Sequence, residues 1–204
     1  MVAAGPALRP ILAKSGEPMD WSSVFATALP YTEFLDRHAT PPQRARWDAM
    51  NGRINLEPAQ LALLGGFVRR MPVLVIAGVW CGDCVNQCTI FDHFARGSSV
   101  IDLRFLDRDA VPEASDALSI NGSRRVPVAL FLNEDFQETA RYGERTLSTY
   151  RRVATEQLGA ACPTGIVPPS EDATRLVAQE WLNEFERAQL ILRLSPKFRE
   201  RYAD

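Results

Sequence analysis

The chain has 204 residues, 46% of them hydrophobic and 24% charged, which is the composition of an ordinary globular protein with a core of its own. Lys and Arg total 23 against 25 Asp and Glu, so the net charge of −2 speaks against non-specific nucleic-acid or anionic-membrane binding. Four cysteines are too few for a disulfide-stapled secreted scaffold, yet Cys81, Cys84 and Cys88 stand together and need a reason.

The first residues carry no apolar run long enough for a signal segment, since Pro6, Arg9, Pro10 and Lys14 interrupt it. No stretch approaches the roughly 18 apolar residues of a membrane span. A cytoplasmic location is therefore expected, where a close cysteine pair serves catalysis or metal binding more often than structure.

Residues 1–70 read as a helical N-terminal extension after a loose start. Trp21 to His38 carries Val24, Phe25, Leu29, Phe34 and Leu35, with Pro30 bending or breaking it. A second helix starts at Thr40 with Pro41 at its first position and runs toward Met50; a third covers Glu57 to Arg70.

From Met71 the period changes. Val73–Ala77 is a continuous, β-branched-rich run, as expected of a strand buried on both faces. Residues 84–96 read as a helix with Cys84, Cys88, Phe91 and Ala95 on one face. A strand at 100–106 bears Asp102 and Arg104 on one side, which suggests a sheet edge or cover from the N-terminal helices. A short helix at 112–120 precedes strand 128–132. The Asn133-Glu134-Asp135 turn leads to strand 137–142, and a helix at 147–158 closes the segment. This order, βαβαββα, predicts an α/β fold with a mixed sheet and helices on both faces.

Residues 160–204 form a Pro/Gly-containing loop and one amphipathic helix. Ser170 is its candidate N-cap, and Val177, Trp181, Phe185, Ala188 and Leu192 make an apolar stripe that ends at Ser195-Pro196. The stripe predicts packing on the same domain, with a dimer contact as the alternative. A monomer or weak dimer is the expected state.

A Cys-x-x-Cys at a strand-to-helix junction has a specific chemical use. Cys81 falls at the helix N-terminus, where unpaired N–H groups favour its thiolate, the reactive form. Cys84, one turn on, can resolve a mixed disulfide. Gly82 leaves room for another backbone. Asp83 pulls the other way, because a carboxylate near a thiolate raises the thiol pKa; Arg124 and Arg125 would oppose it if they fold back.

Trp80-Cys81-Gly82-Asp83-Cys84 after a buried strand, with Val126-Pro127 directly before another, resembles the thioredoxin family over residues 71–159. The resemblance implies a thioredoxin fold with helical extensions at both ends. It also implies that Cys81 attacks, Cys84 resolves, Trp80 shields the site, and a cis Pro127 presents the Val126 backbone to an extended substrate. The expected activity is reduction of protein disulfides with no cofactor beyond the Cys81–Cys84 pair. Electrons would come from a thioredoxin reductase or glutathione, since no Gly-rich nucleotide motif is present. A redox-sensing or partner-binding module is the alternative.

The chain departs from the family in two places. The buried carboxylate of the strand before the active site is Val75 here, which leaves Asp83 as the candidate replacement. The helix-kinking proline is Thr89, which predicts a straighter helix.

Cys88, with Cys81, Cys84 and His93, invites a zinc reading. At about 100° per residue, however, His93 lies on the helix face opposite Cys84, so no metal is expected. Cys88 is read as a small buried hydrophobe, with a second resolving thiol as the alternative. Cys162 has no evident partner, and His38 and His93 are read as packing or surface residues.

Overall fold

The computed structural model describes residues 19–158 and 173–202. Cys162 and the proposed Ser170 cap lie outside the described residues. In chain order come α1 (Trp21–Thr27), α2 (Tyr31–His38), α3 (Pro41–Asn51), α4 (Pro58–Gly65), β1 (Met71–Ala77), α5 (Gly82–Gly97) and β2 (Ile101–Asp107). These are followed by α6 (Pro112–Ala117), β3 (Val128–Leu132), β4 (Glu138–Gly143), α7 (Leu147–Leu158), α8 (Ala173–Leu194) and α9 (Pro196–Tyr202).

The sheet order is β2-β1-β3-β4, with β1 parallel to β2 and antiparallel to β3, and β3 antiparallel to β4. Successive side chains of a strand point to opposite faces, and all seven residues of β1 are buried, so both faces of the sheet are covered. β2 is an edge strand, and the N-terminal extension blunts that edge. Leu29 pairs with Phe105 through two backbone hydrogen bonds of 2.8 and 2.7 Å, while Phe34 of α2 packs on the Phe105 ring. Both readings of Asp102 and Arg104 hold at once.

Local signals account for most helix starts. Asp20 caps α1 by accepting from the Ser22 and Ser23 N–H groups at 3.1 and 3.3 Å. Pro30 breaks the first helical stretch in two, and Gln43 accepts the Thr40 N–H at 2.8 Å at the head of α3. One expectation is corrected. The helix after Glu57 does not reach Arg70: it stops at Gly65, where Gly65-Gly66 weakens the helix and Arg69 is drawn into the interior. α8 ends at Leu194, just before Ser195-Pro196 as expected, and a further short helix that the sequence did not announce follows it. Pro196 opens α9, as its fixed φ and missing N–H allow at a first helical position.

α8 uses its stripe within its own chain. Trp181 meets Phe91 of α5 and Tyr142 of β4 edge-on, with centroids 4.4 and 5.0 Å apart, and Phe185 meets Phe94 and Phe131 at 5.2 and 4.9 Å. The two extensions and the central segment therefore share one hydrophobic core, which runs from Trp21 to Leu192. α5 is continuous over 16 residues, and Thr89 returns its hydroxyl to the Val85 carbonyl at 2.9 Å.

Candidate active site

β1 delivers the chain to a tight turn at the sheet's end. The Cys81 N–H reaches the Gly78 carbonyl at 3.0 Å, and the Cys81 carbonyl accepts the first helical bond of α5 from Val85 at 3.0 Å. Cys81 is thus the N-cap of α5, and its half-buried sulfur faces the Val126 carbonyl at 3.6 Å. The Val126–Pro127 peptide is cis. Cys84, one turn along, is fully buried and accepts the Gly78 N–H at 3.4 Å. Cys81, Cys84 and Cys88 are all free thiols in this state.

The balance that the sequence left open between the helix N-terminus and its opponents falls toward the protonated thiol. The Cys81 thiol is pushed up, first by its hydrogen bond with Cys84 and then by burial; the Cys84 and Asp83 N–H groups pull it down more weakly. Cys84 is raised well above the ordinary thiol value, chiefly by burial. In the closed dithiol the two sulfurs hold their protons together, so helix-terminal N–H groups do not decide the outcome. Cys81 alkylation by iodoacetamide is therefore expected to climb about tenfold per pH unit from pH 7 to 9. Peptide mass spectrometry against pH checks this, and a plateau below pH 8 would contradict it.

Trp80 is 47% exposed beside the thiol, with the Arg108 guanidinium 4.6 Å above its ring. Its ring folds over Gly78, where a methyl group would stand 2.7 Å from the indole. A methyl at Gly82 would meet nothing within 4 Å, so the surface there is open. On the other side, Gly143 has φ +155°, and a Cβ there would lie 2.5 Å from the Pro127 carbonyl oxygen. Gly143→Ala is expected to cost more than about 1 kcal/mol and to change the Cys81 alkylation rate by displacing Pro127. Denaturant titration and alkylation of the purified variant measure both; wild-type values would show that the corner yields freely.

Asp83 binds a cation that the sequence did not indicate. Arg145, in the corner between β4 and α7, donates to Asp83 Oδ2 through Nη2 at 2.8 Å and Nε at 3.0 Å. The expected cations are engaged elsewhere: Arg124 pairs with Asp116 at 2.7 Å and Arg125 with Glu144 at 3.3 Å. Asp83 is not among the largest influences on Cys84, which are burial, Cys81, Cys88 and the Gly78 N–H. Val75 is fully buried between Phe105 and Ala129, and Cys88 is fully buried next to Cys84.

Both extensions reach the site's frame. Trp47 of α3 donates its indole N–H to the Val79 carbonyl at 2.9 Å, holding the turn before Cys81. From α8, Trp181 donates to Gln87 at 2.6 Å, and Gln87 passes the link to the Glu144 carbonyl at 2.8 Å. Tyr150 donates to the Glu144 carboxylate at 2.9 Å. Aromatic residues in the extensions were the only advance signal, and nothing local distinguished these from core packing. His93 meets the Asn51 carbonyl at 3.1 Å, and His38 packs against Phe34. Among the described residues no three His, Cys, Asp or Glu side chains converge as metal ligands. Among them, too, no helix is long and apolar enough to cross a membrane.

A β2-β1-β3-β4 sheet with a Cys-x-x-Cys where β1 meets α5 is the arrangement of a thioredoxin-like α/β protein. The chain belongs to the thioredoxin family: the family model described as Thioredoxin matches residues 28–156, which takes in α2, α3 and α4 as well as the sheet. No curated protein matches it in sequence. Among solved structures it is similar to PA1234, a protein of unknown function from Pseudomonas aeruginosa. The TM-score is 0.64 at 17% identity, over 86% of this chain and 98% of that one. An HIV 4E10 epitope scaffold matches with a TM-score of 0.60 at 17% identity, over 87% and 99%. At such identity these likenesses show the fold, extensions included.

Proposed function

We propose that the chain is a thiol–disulfide oxidoreductase that reduces protein disulfides in a reducing compartment such as the cytoplasm. The observation that carries this reading is the placement of the half-buried Cys81 sulfur 3.6 Å from the Val126 carbonyl, beside the cis Pro127, with Cys84 buried one turn behind. An extended substrate pairing with the Val126 backbone would bring its disulfide to Cys81. The Cys81 thiolate attacks one substrate sulfur, forms a mixed disulfide and expels the other as a thiolate, which takes up a proton. Cys84 then loses its proton and attacks Cys81 Sγ, releasing the second substrate thiol and closing the Cys81–Cys84 disulfide. Two electrons have passed to the substrate, and an external donor, either a flavoprotein reductase or two molecules of glutathione that leave as their disulfide, must return them.

Insulin disulfide reduction with dithiothreitol as donor tests the proposal on wild type and Cys81→Ser. A Cys81-dependent acceleration is expected. A rate equal to dithiothreitol alone would leave a redox-responsive binding module in its place. Mass spectrometry of the oxidised protein reads the bridge: a Cys81–Cys84 disulfide assigns Cys88 to packing, whereas a Cys84–Cys88 disulfide makes Cys88 a second resolving thiol.

A further inference from the structure

The charge between the two cysteines is held by one residue. Asp83 stands two positions after the attacking thiol, at the N-terminus of the helix whose N–H groups face that thiol. An unopposed carboxylate there would cancel part of the helix field and disfavour a second negative charge on Cys81. Arg145 grips one oxygen of that carboxylate with two nitrogens, at 2.8 and 3.0 Å, and both side chains are about three-quarters buried, at 28% and 25% exposure. The ion pair is therefore shielded from solvent and salt more than a surface pair would be. Arg145 adjoins Glu144, which Arg125, Tyr150 and the Gln87 amide hold in place.

We propose that Arg145 is a positioning residue for the redox pair, setting the reactivity of Cys81 by neutralising Asp83 and holding its carboxylate off the sulfur. The proposal rests on Cys81 being the attacking thiol. The other groups around the site are accounted for. Cys84 and burial act on Cys81 directly, Arg125 and Tyr150 are engaged by Glu144, and Arg108, above Trp80, pairs with Asp109 at 3.0 Å. Among the described residues, Arg145 is the cation paired to the carboxylate inside the Cys-x-x-Cys.

The test is the pH profile of Cys81 alkylation by iodoacetamide, read by peptide mass spectrometry, which needs no substrate and no turnover. Arg145→Gln is expected to slow alkylation about 3- to 10-fold at pH 8 and to displace the profile to higher pH by about half to one unit. Arg145→Lys keeps a cation and is expected to restore most of the rate. Asp83→Asn in the Arg145→Gln background is expected to return the profile to that of wild type. A structural role for Arg145 would lower the melting temperature, and Asp83→Asn would not repair it. A wild-type profile for Arg145→Gln, or a slow double variant, overturns the proposal. Absence of insulin reduction by the wild type would overturn the proposed function instead, and leave the alkylation comparison readable.

Discussion

Cys84→Ser is expected to stop turnover while leaving the first chemical step intact, so that Cys81 stays joined to its substrate. The buried Cys84 sulfur is positioned one helical turn behind Cys81 and receives the Gly78 N–H, and both thiols lie at one α5 terminus. With a hydroxyl in its place, no internal nucleophile attacks the mixed disulfide, and release depends on outside thiols. Insulin reduction should fall at least about tenfold, toward the rate of dithiothreitol alone, because only outside thiols then free Cys81. Non-reducing electrophoresis should show a covalent adduct that dithiothreitol dissolves. Cys81→Ser should show neither turnover nor adduct. If Cys84→Ser kept rapid turnover without accumulating adduct, Cys88 or the substrate's own second thiol would have to be the resolving group.

The second large effect lies far from the cysteines. Arg69 is 4% exposed and pairs with the nearly buried Glu134 at 2.7 Å. Its Nη1 donates to the Phe198 carbonyl at 3.2 Å, and its guanidinium lies 4.3 Å from the Tyr202 ring centroid. Its backbone is held as well: Gln189 of α8 accepts the Arg69 N–H at 2.8 Å and donates to its carbonyl at 3.0 Å. One side chain thus joins the α4–β1 connection, the β3–β4 turn and α9. Arg69→Ala removes the partner of a buried carboxylate, a change that costs about 3–5 kcal/mol, or about 6–20 °C in melting temperature for a chain of this size. Adding Glu134→Gln to an Arg69→Met variant should recover much of the loss, because the damage comes mainly from the uncompensated charge. Calorimetry of the wild type and the three variants checks this. If Arg69→Ala melted within a degree of wild type, Arg69 would not be the joint described.

The parts of this protein that were legible in sequence are those whose signal is local. The run Val73–Ala77 announced a doubly covered strand, Pro30 and Pro41 punctuated helices, and the stripe Val177–Leu192 announced a packing helix; each is a matter of neighbouring residues and their period. Trp80-Cys81-Gly82-Asp83-Cys84 was legible for the same reason, and Val126-Pro127 once it was placed before a strand. The misreadings arose where local and distant preferences competed. Gly65-Gly66 outweighed an apolar pattern that continued toward Arg70, and beyond the correctly placed end of α8 a helix that was not read, α9, formed because it had a surface to dock on, built from Arg69 and the β3–β4 turn.

By itself, then, the sequence determined the order of the central elements, the Cys-x-x-Cys pair at a strand-to-helix junction and the family. Partner choice was settled only by the tertiary structure. Asp83 meets Arg145 across 62 positions, and neither Arg124 nor Arg125. Trp47 reaches Val79 across 32 positions, and Trp181 reaches Gln87 across 94. An arginine carries the same charge wherever it stands in the chain, so only the fold can select which one neutralises a given carboxylate. The direction of the thiol pKa shifts follows the same logic. The helix N-terminus is written in the sequence, but the burial and thiol–thiol contact that outweigh it exist only once β1, α5 and the Val126–Pro127 segment are packed together.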